Sequence, residues 1–155
     1  MTKVVALAGS PRTGGNTEKL LASFLRGAED AGAQVHKVTV AELGIEGWTP
    51  EVECAEVGSP QPEDNFERVS QELVAADTIV VASPVYFRNV PSQLKALIDR
   101  SQCQWIRKYV EKEPLPPSFN GHEKRRGVFI NVCICRSAMR CLTFSHYLIY
   151  VLEEG

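Results

Sequence analysis

Long hydrophobic runs are missing from this sequence. None approaches the roughly 20 apolar residues of a membrane span, and the first, Val4 to Ala8, is too short for the core of a signal peptide. The expectation is a cytoplasmic chain with no membrane association. Charge of one sign is missing too, since 17 basic side chains stand against 19 acidic ones for a net charge of −2. That balance leaves no electrostatic footprint for nucleic acid and no disordered acidic tail. Cysteine is sparse, odd in number and bunched late, with Cys54, Cys103, Cys133, Cys135 and Cys141 as the full set. Such a set does not suit a secreted disulfide framework, and reduced thiols are expected. No internal repeat occurs, no Gly-Lys-Ser/Thr closes a Walker A loop, and no Gly-x-Gly-x-x-Gly fingerprint is present. Nor is there a recognisable nucleophile or acid-base dyad.

What remains is an ordinary globular balance: 155 residues, 44% hydrophobic and 23% charged. A single domain over 1–155 would bury about 70% of the surface that its unfolded chain exposes, so it needs no staples. Val4 to Ala8 predicts a strand buried on both faces. From Thr17 onward, Leu20, Leu21, Phe24, Leu25 and Ala28 recur at helical spacing, and Gly32 is placed to end that helix in a left-handed conformation. Val35 to Val40 is β-branched and reads as a second strand, followed by a long loop from Gly44 to Pro62. Asp64 with Glu67 resembles a capping box, opening a helix whose apolar stripe is Phe66, Val69, Leu73 and Val74. Thr78 to Ala82 is another buried strand. Pro91 opens a third helix with Leu94, Leu97, Ile98 and Trp105 inward and Lys95 paired to Asp99. Glu111 to Lys124 reads as a loop, Gly127 to Val132 as a fourth strand and Ala138 to Glu153 as a last helix. Apolar strands alternating with helices specify an α/β fold, a doubly wound parallel sheet covered on both faces.

Such sheets bind ligands outside the carboxyl ends of their strands, which singles out Gly9 to Thr17, Ser83 to Pro91 and Asn131 to Ser137. The first joins a buried strand to a strong helix, so its amides and the positive end of the helix dipole converge where an anion is favoured. Ser10, Asn16 and Thr17 offer neutral donors, Gly14 and Gly15 permit close backbone approach, and Arg12 adds a charge-assisted bond to a phosphate oxygen. The plainer reading is a polar turn in which Asn16 or Thr17 caps the helix. The second loop carries Tyr86 and Phe87, which either stack on a planar ligand or fold back onto the core.

Here the sequence resembles a known family, the flavodoxin-like NAD(P)H-dependent FMN reductases, in the branch related to iron-sulfur flavoproteins. The matching segments are Gly9-Ser-Pro-Arg-x-x-Gly-Asn-Thr17, Ala76-Asp-Thr-Ile-Val-Val-Ala-Ser-Pro-Val-Tyr-Phe87 and Pro91-Ser-Gln-Leu-Lys-Ala-Leu-Ile-Asp-Arg100. The resemblance implies a flavodoxin-like sheet of strand order 2-1-3-4, with the usual fifth strand missing because the chain reads as short at its C-terminus. It also implies an oxidoreductase that uses FMN, with NADPH or NADH as co-substrate, to pass electrons to a quinone, flavin, nitro compound or protein. Carried over residue by residue, the FMN phosphate falls to Ser10, Arg12, Asn16 and Thr17, with Gly15 between them. The isoalloxazine falls to Pro84, Val85, Tyr86 and Phe87. A homodimer or homotetramer is implied as well. Two departures stand out. The loop after the second strand holds only Cys54 where iron-sulfur relatives bear a group of cysteines, and one thiolate cannot hold a four-cysteine cluster. After the fourth strand, bulkier residues from Asn131 to Ser137 replace the family's small, glycine-containing sequence and crowd the flavin ring.

Other residues suggest less. Cys133, Cys135 and Cys141 lack a fourth ligand, and no metal is expected. His36, His122 and His146 show no ligand spacing. Lys124-Arg125-Arg126 reads as a solvated charge run or, alternatively, as a contact for the extra phosphate of NADPH. Two further functions stay open: an electron carrier that does not react with nicotinamide, and a phosphate-binding or assembly module that has lost flavin.

Overall fold

Burial follows the apolar runs. Strands β1 (Lys3–Ala8) and β3 (Thr78–Pro84) are buried along almost their whole length, as strands covered on both faces must be. Strand β2 (Gln34–Thr39) exposes Gln34, His36 and Lys37, and β4 (Arg126–Val132) is half-buried. The four pair in parallel in the order β2-β1-β3-β4, with Val5 opposite both His36 and Ile79, and Val80 opposite Val128. This is the flavodoxin-like order. The structure is a computed structural model that describes residues 1–48, 64–102, 112 and 125–133. The expected last helix, the missing fifth strand, Trp105, His122, His146 and four of the five cysteines lie outside the described residues.

Strand alternation divides the core between the two faces. On one, Val5, Leu7, Ile79 and Val81 pack with Val69 of helix α2 (Phe66–Val74) and with Leu94 and Leu97 of α3 (Ser92–Arg100). On the other, Val4, Ala6, Ala8, Val80 and Ala82 meet Leu21 and Leu25 of α1 (Asn16–Asp30). Alanines on that face let α1 lie close to the sheet. Of the expected α1 stripe, Leu21 and Leu25 are buried, whereas Leu20 and Phe24 are 51% and 36% exposed. The spacing marked one broad face, but only half of it meets the sheet. Gly32, at φ +83°, ends α1: its amide reaches the Glu29 carbonyl and the Ala33 amide the Ala28 carbonyl. These paired bonds are the Schellman arrangement that a left-handed glycine permits. The second strand stops at Thr39, and Val40–Glu42 form a short 3-10 turn.

The capping box at Asp64 does not form. Asn65 occupies the cap position without a side-chain cap bond, and Glu67 accepts from Gln71 rather than reaching back. Asp64 is used differently. Its Oδ1 accepts from the Phe66 amide at 2.9 Å, while Oδ2 accepts from the Glu46 amide at 3.3 Å and from Arg100 Nη1 at 2.8 Å. The Asp64 and Arg100 side chains are only 5% and 4% exposed, and the Arg100 guanidinium lies 4.8 Å from the centre of the Phe66 ring. Two buried charges are tolerated because they pair with each other, Asp64 accepts two backbone amides besides, and the Arg100 guanidinium lies over the Phe66 ring. This pair joins the end of α3 to the start of α2. The Lys95–Asp99 pair forms as expected, and His36 Nδ1 lies 2.8 Å from Glu72 Oε2 of α2.

The basic run before β4 is not a solvated patch throughout. Arg125 is half-buried and donates from Nη2 to the Val74 carbonyl at 2.7 Å, satisfying an acceptor at the end of α2. Burial pushes its pKa down, and the Asp77 carboxylate opposes that shift. The Arg126 amide donates to the Asp77 carbonyl. Both arginines thus sit where β4 begins, at the opposite end of the sheet from the loops that follow β1 and β3.

Candidate functional site

The carboxyl ends of β1 and β3 lie side by side, with Ala8 opposite Ala82. The Gly9 amide donates to the Ala82 carbonyl at 2.8 Å, so the first loop starts pressed against β3. A Cβ at position 9 would lie 2.5 Å from Leu94 Cδ2 and 3.0 Å from the Ala82 oxygen. Glycine is required there by close approach. Ser10 Oγ accepts from the Arg12 amide at 3.2 Å, which folds the loop back on itself. Gly14 then turns the chain at φ +69°, a conformation that L side chains seldom adopt.

Helix α1 begins without a side-chain cap. Gly15 occupies the cap position, Asn16 and Thr17 are its first two residues, and neither caps it. The plainer capping explanation of this loop is therefore not what the structure shows. Among the described residues, the amides of Asn16, Thr17 and Glu18 have no hydrogen-bond acceptor, as expected for the first turn of a helix. Ser10, Arg12 and Thr17 share one hollow with Ala8, Thr39 and Glu18. Gly15 and Asn16 belong to the same turn but do not line that hollow.

One carboxylate already uses this loop as an anion holder. Glu18 Oε2 accepts from the Gly14 amide at 2.6 Å, and its Oε1 pairs with Lys37 Nζ of β2 at 2.6 Å. The hydrogen bond from Lys37, then that from Gly14, hold the Glu18 carboxyl below its ordinary range. An anion on a backbone amide, beside a serine hydroxyl, an arginine and free first-turn amides, is a donor set that fits a phosphate monoester. Sequence reasoning missed Glu18. Its third place in the helix, where a side chain reaches back toward the cap, was the available signal.

The second loop is a tight hairpin. Tyr86 and Asn89 exchange backbone hydrogen bonds of 2.8 and 2.9 Å, and the two residues between them, Phe87 and Arg88, have φ of +48° and +64°. Positive φ at both central positions is the type I′ pattern, usually left to glycine and asparagine. The hairpin's base is fixed by the Val85 amide donating to the Val132 carbonyl at 3.0 Å and by buried Val90 and Pro91. The aromatics do not fold back onto the core: Tyr86 is 46% exposed and Phe87 is fully exposed. Pro84 and Val85 line a second hollow with Arg88, Asn89, Phe129 and Asn131, and Tyr86 and Phe87 stand outside it. Asn131 Oδ1 is buried there with no hydrogen-bond partner among the described residues. The two hollows flank the strand ends, one on the α1 face and one on the α2–α3 face. Of the third loop, Asn131 to Cys133 are described and Ile134 to Ser137 are not.

Comparison with known proteins bears on the family and the fold. The iron-sulfur flavoprotein of Methanosarcina thermophila is 34% identical over 99 residues, covering 64% of this chain and 52% of that protein. The chain spans about half the length of the curated relatives it matches. Among solved structures, RosB with bound 8-demethyl-8-formylriboflavin-5'-phosphate superposes with a TM-score of 0.70 at 15% identity, over 99% of this chain and 60% of that one. The NAD(P)H:quinone oxidoreductase of Methanothermobacter marburgensis gives a TM-score of 0.58 at 14% identity, over 96% and 93%. At such identities these two establish the fold. The family model described as NADPH-dependent FMN reductase matches residues 2–128, and the chain belongs to that family.

Proposed function

We propose that residues 1–155 form a single flavin-binding domain of an oxidoreductase that carries electrons from NADPH or NADH through FMN to a small acceptor or redox protein. The observation that carries this reading is the anion-holding turn after β1 beside the exposed aromatic hairpin after β3, in a chain of the FMN reductase family. Ser10, Arg12 and Thr17, with the amides of Gly15, Asn16 and Thr17, would hold the phosphate. Pro84, Val85, Tyr86 and Phe87 would border the ring system. When bound, FMN supplies hydride acceptance and electron release, chemistry that no side chain in this protein offers.

The chain's own residues then act by placement. The turn fixes the phosphate end by charge-assisted hydrogen bonds, and the hairpin offers flat apolar surface near the strand ends. Tyr86 and Phe87, exposed in one chain, suit an assembly of two or four copies in which a neighbour covers the hairpin. The quinone named for the Methanothermobacter protein supports a quinone as one acceptor class.

Purified chain mixed with FMN should show a flavin absorption band that survives gel filtration and bleaches anaerobically on addition of NADPH or NADH. Retention without bleaching would indicate an electron carrier instead. Failure to retain FMN at micromolar protein would refute the assignment.

A further inference from the structure

Glu18 stands where a bound phosphate would find an unwelcome neighbour. It lines the same hollow as Ser10, Arg12 and Thr17, and its carboxylate holds the Gly14 amide at 2.6 Å and Lys37 Nζ at 2.6 Å. In the third position of α1 it also complements the helix dipole, as an acidic residue in a first turn does. The side chain is thus fastened by Gly14 and Lys37 at the border of the hollow and places a negative charge beside the donors assigned to the phosphate.

We propose that the Glu18 carboxylate is a resident competitor for the phosphate of the flavin cofactor, setting how strongly this chain prefers a phosphorylated flavin to an unphosphorylated one. The inference rests on the assignment of the first loop to the phosphate. A carboxylate and a phosphate dianion in one hollow repel each other, and Lys37 offsets only part of that repulsion because it is itself half-exposed. For FMN to bind, the carboxylate must swing off the Gly14 amide or remain as a like charge beside the phosphate. Either course weakens FMN binding, and neither touches riboflavin, which has no phosphate.

The test is a fluorescence titration of the full chain with FMN and, separately, with riboflavin, comparing wild type, Glu18→Gln and Arg12→Ala at low and high salt. Glutamine keeps the size of the side chain and an oxygen able to accept from Gly14 while removing the charge. Glu18→Gln should bind FMN about five- to tenfold more tightly at low salt, with the gain shrinking at high salt. Riboflavin affinity should not change, which separates this effect from a general change in the loop. Unchanged or weaker FMN binding by Glu18→Gln, or equal tightening of riboflavin, overturns the inference. If Arg12→Ala weakens FMN while Glu18→Gln has no effect, the competitor is refuted and the phosphate assignment stands. If Arg12→Ala leaves FMN binding intact, the phosphate lies elsewhere and both fall.

Discussion

The two loops leave neighbouring inner strands at the same carboxyl end of the sheet, yet they are built on opposite plans. From Gly9 to Gly15 the backbone is the working surface: Gly9 allows close approach, Gly14 a left-handed turn, Ser10 and Arg12 brace one another, and the helix opens without a side-chain cap. From Tyr86 to Asn89 the backbone is closed upon itself by a reciprocal pair of hydrogen bonds, and the side chains are what it displays. Under the proposed assignment the two plans would serve the two ends of a flavin nucleotide. A phosphate is gripped by many short, directional donors, whereas a ring system needs flat area held at a fixed height.

If the plans differ in this way, substitutions should separate them. The largest effect is expected from Arg12→Ala combined with Thr17→Ala, which should weaken FMN binding by about 2–4 kcal/mol in total while leaving riboflavin almost unaffected; isothermal titration with both ligands checks it. Next comes Gly9→Ala. Its new Cβ would press on the buried Leu94 side chain and the Ala82 carbonyl, and overpacking of this kind costs about 1–3 kcal/mol of stability, read from urea unfolding. The smallest effect belongs to the hairpin. Arg88→Gly removes a side chain from a left-handed position and should raise stability by about 0.5–1 kcal/mol. A loss of stability there would mean that Arg88 makes a stabilising contact that outweighs its strain.

Much of the scaffold was legible in the chain. Val4 to Ala8 and Thr78 to Ala82 could be read as inner strands because each is apolar on both faces, and Gly32 announced the end of α1 because little else accepts φ +83°. The turn of the first loop at Gly14 and its close approach at Gly9 were legible through the glycines between β1 and α1. What escaped depends on tertiary neighbours. Leu20 and Phe24 share the period of Leu21 and Leu25 but face away from the sheet. Asp64 had the spacing of a capping box, and only the folded chain brings Arg100 to it. Lys124 to Arg126 looked like one charge run until Val74 claimed Arg125. Glu18 was passed over because its partner Lys37 lies on another element.

The clasp at Asp64 has a consequence for how this chain is laid out. One carboxylate oxygen receives both the Glu46 amide and Arg100, so the two ends of the stretch between residues 46 and 64 are pinned at a single spot against α3. The clasp thus fixes where the chain leaves the described core after Glu46 and where it rejoins it at Asp64, so that one carboxylate sets the approach of two separate segments to α3.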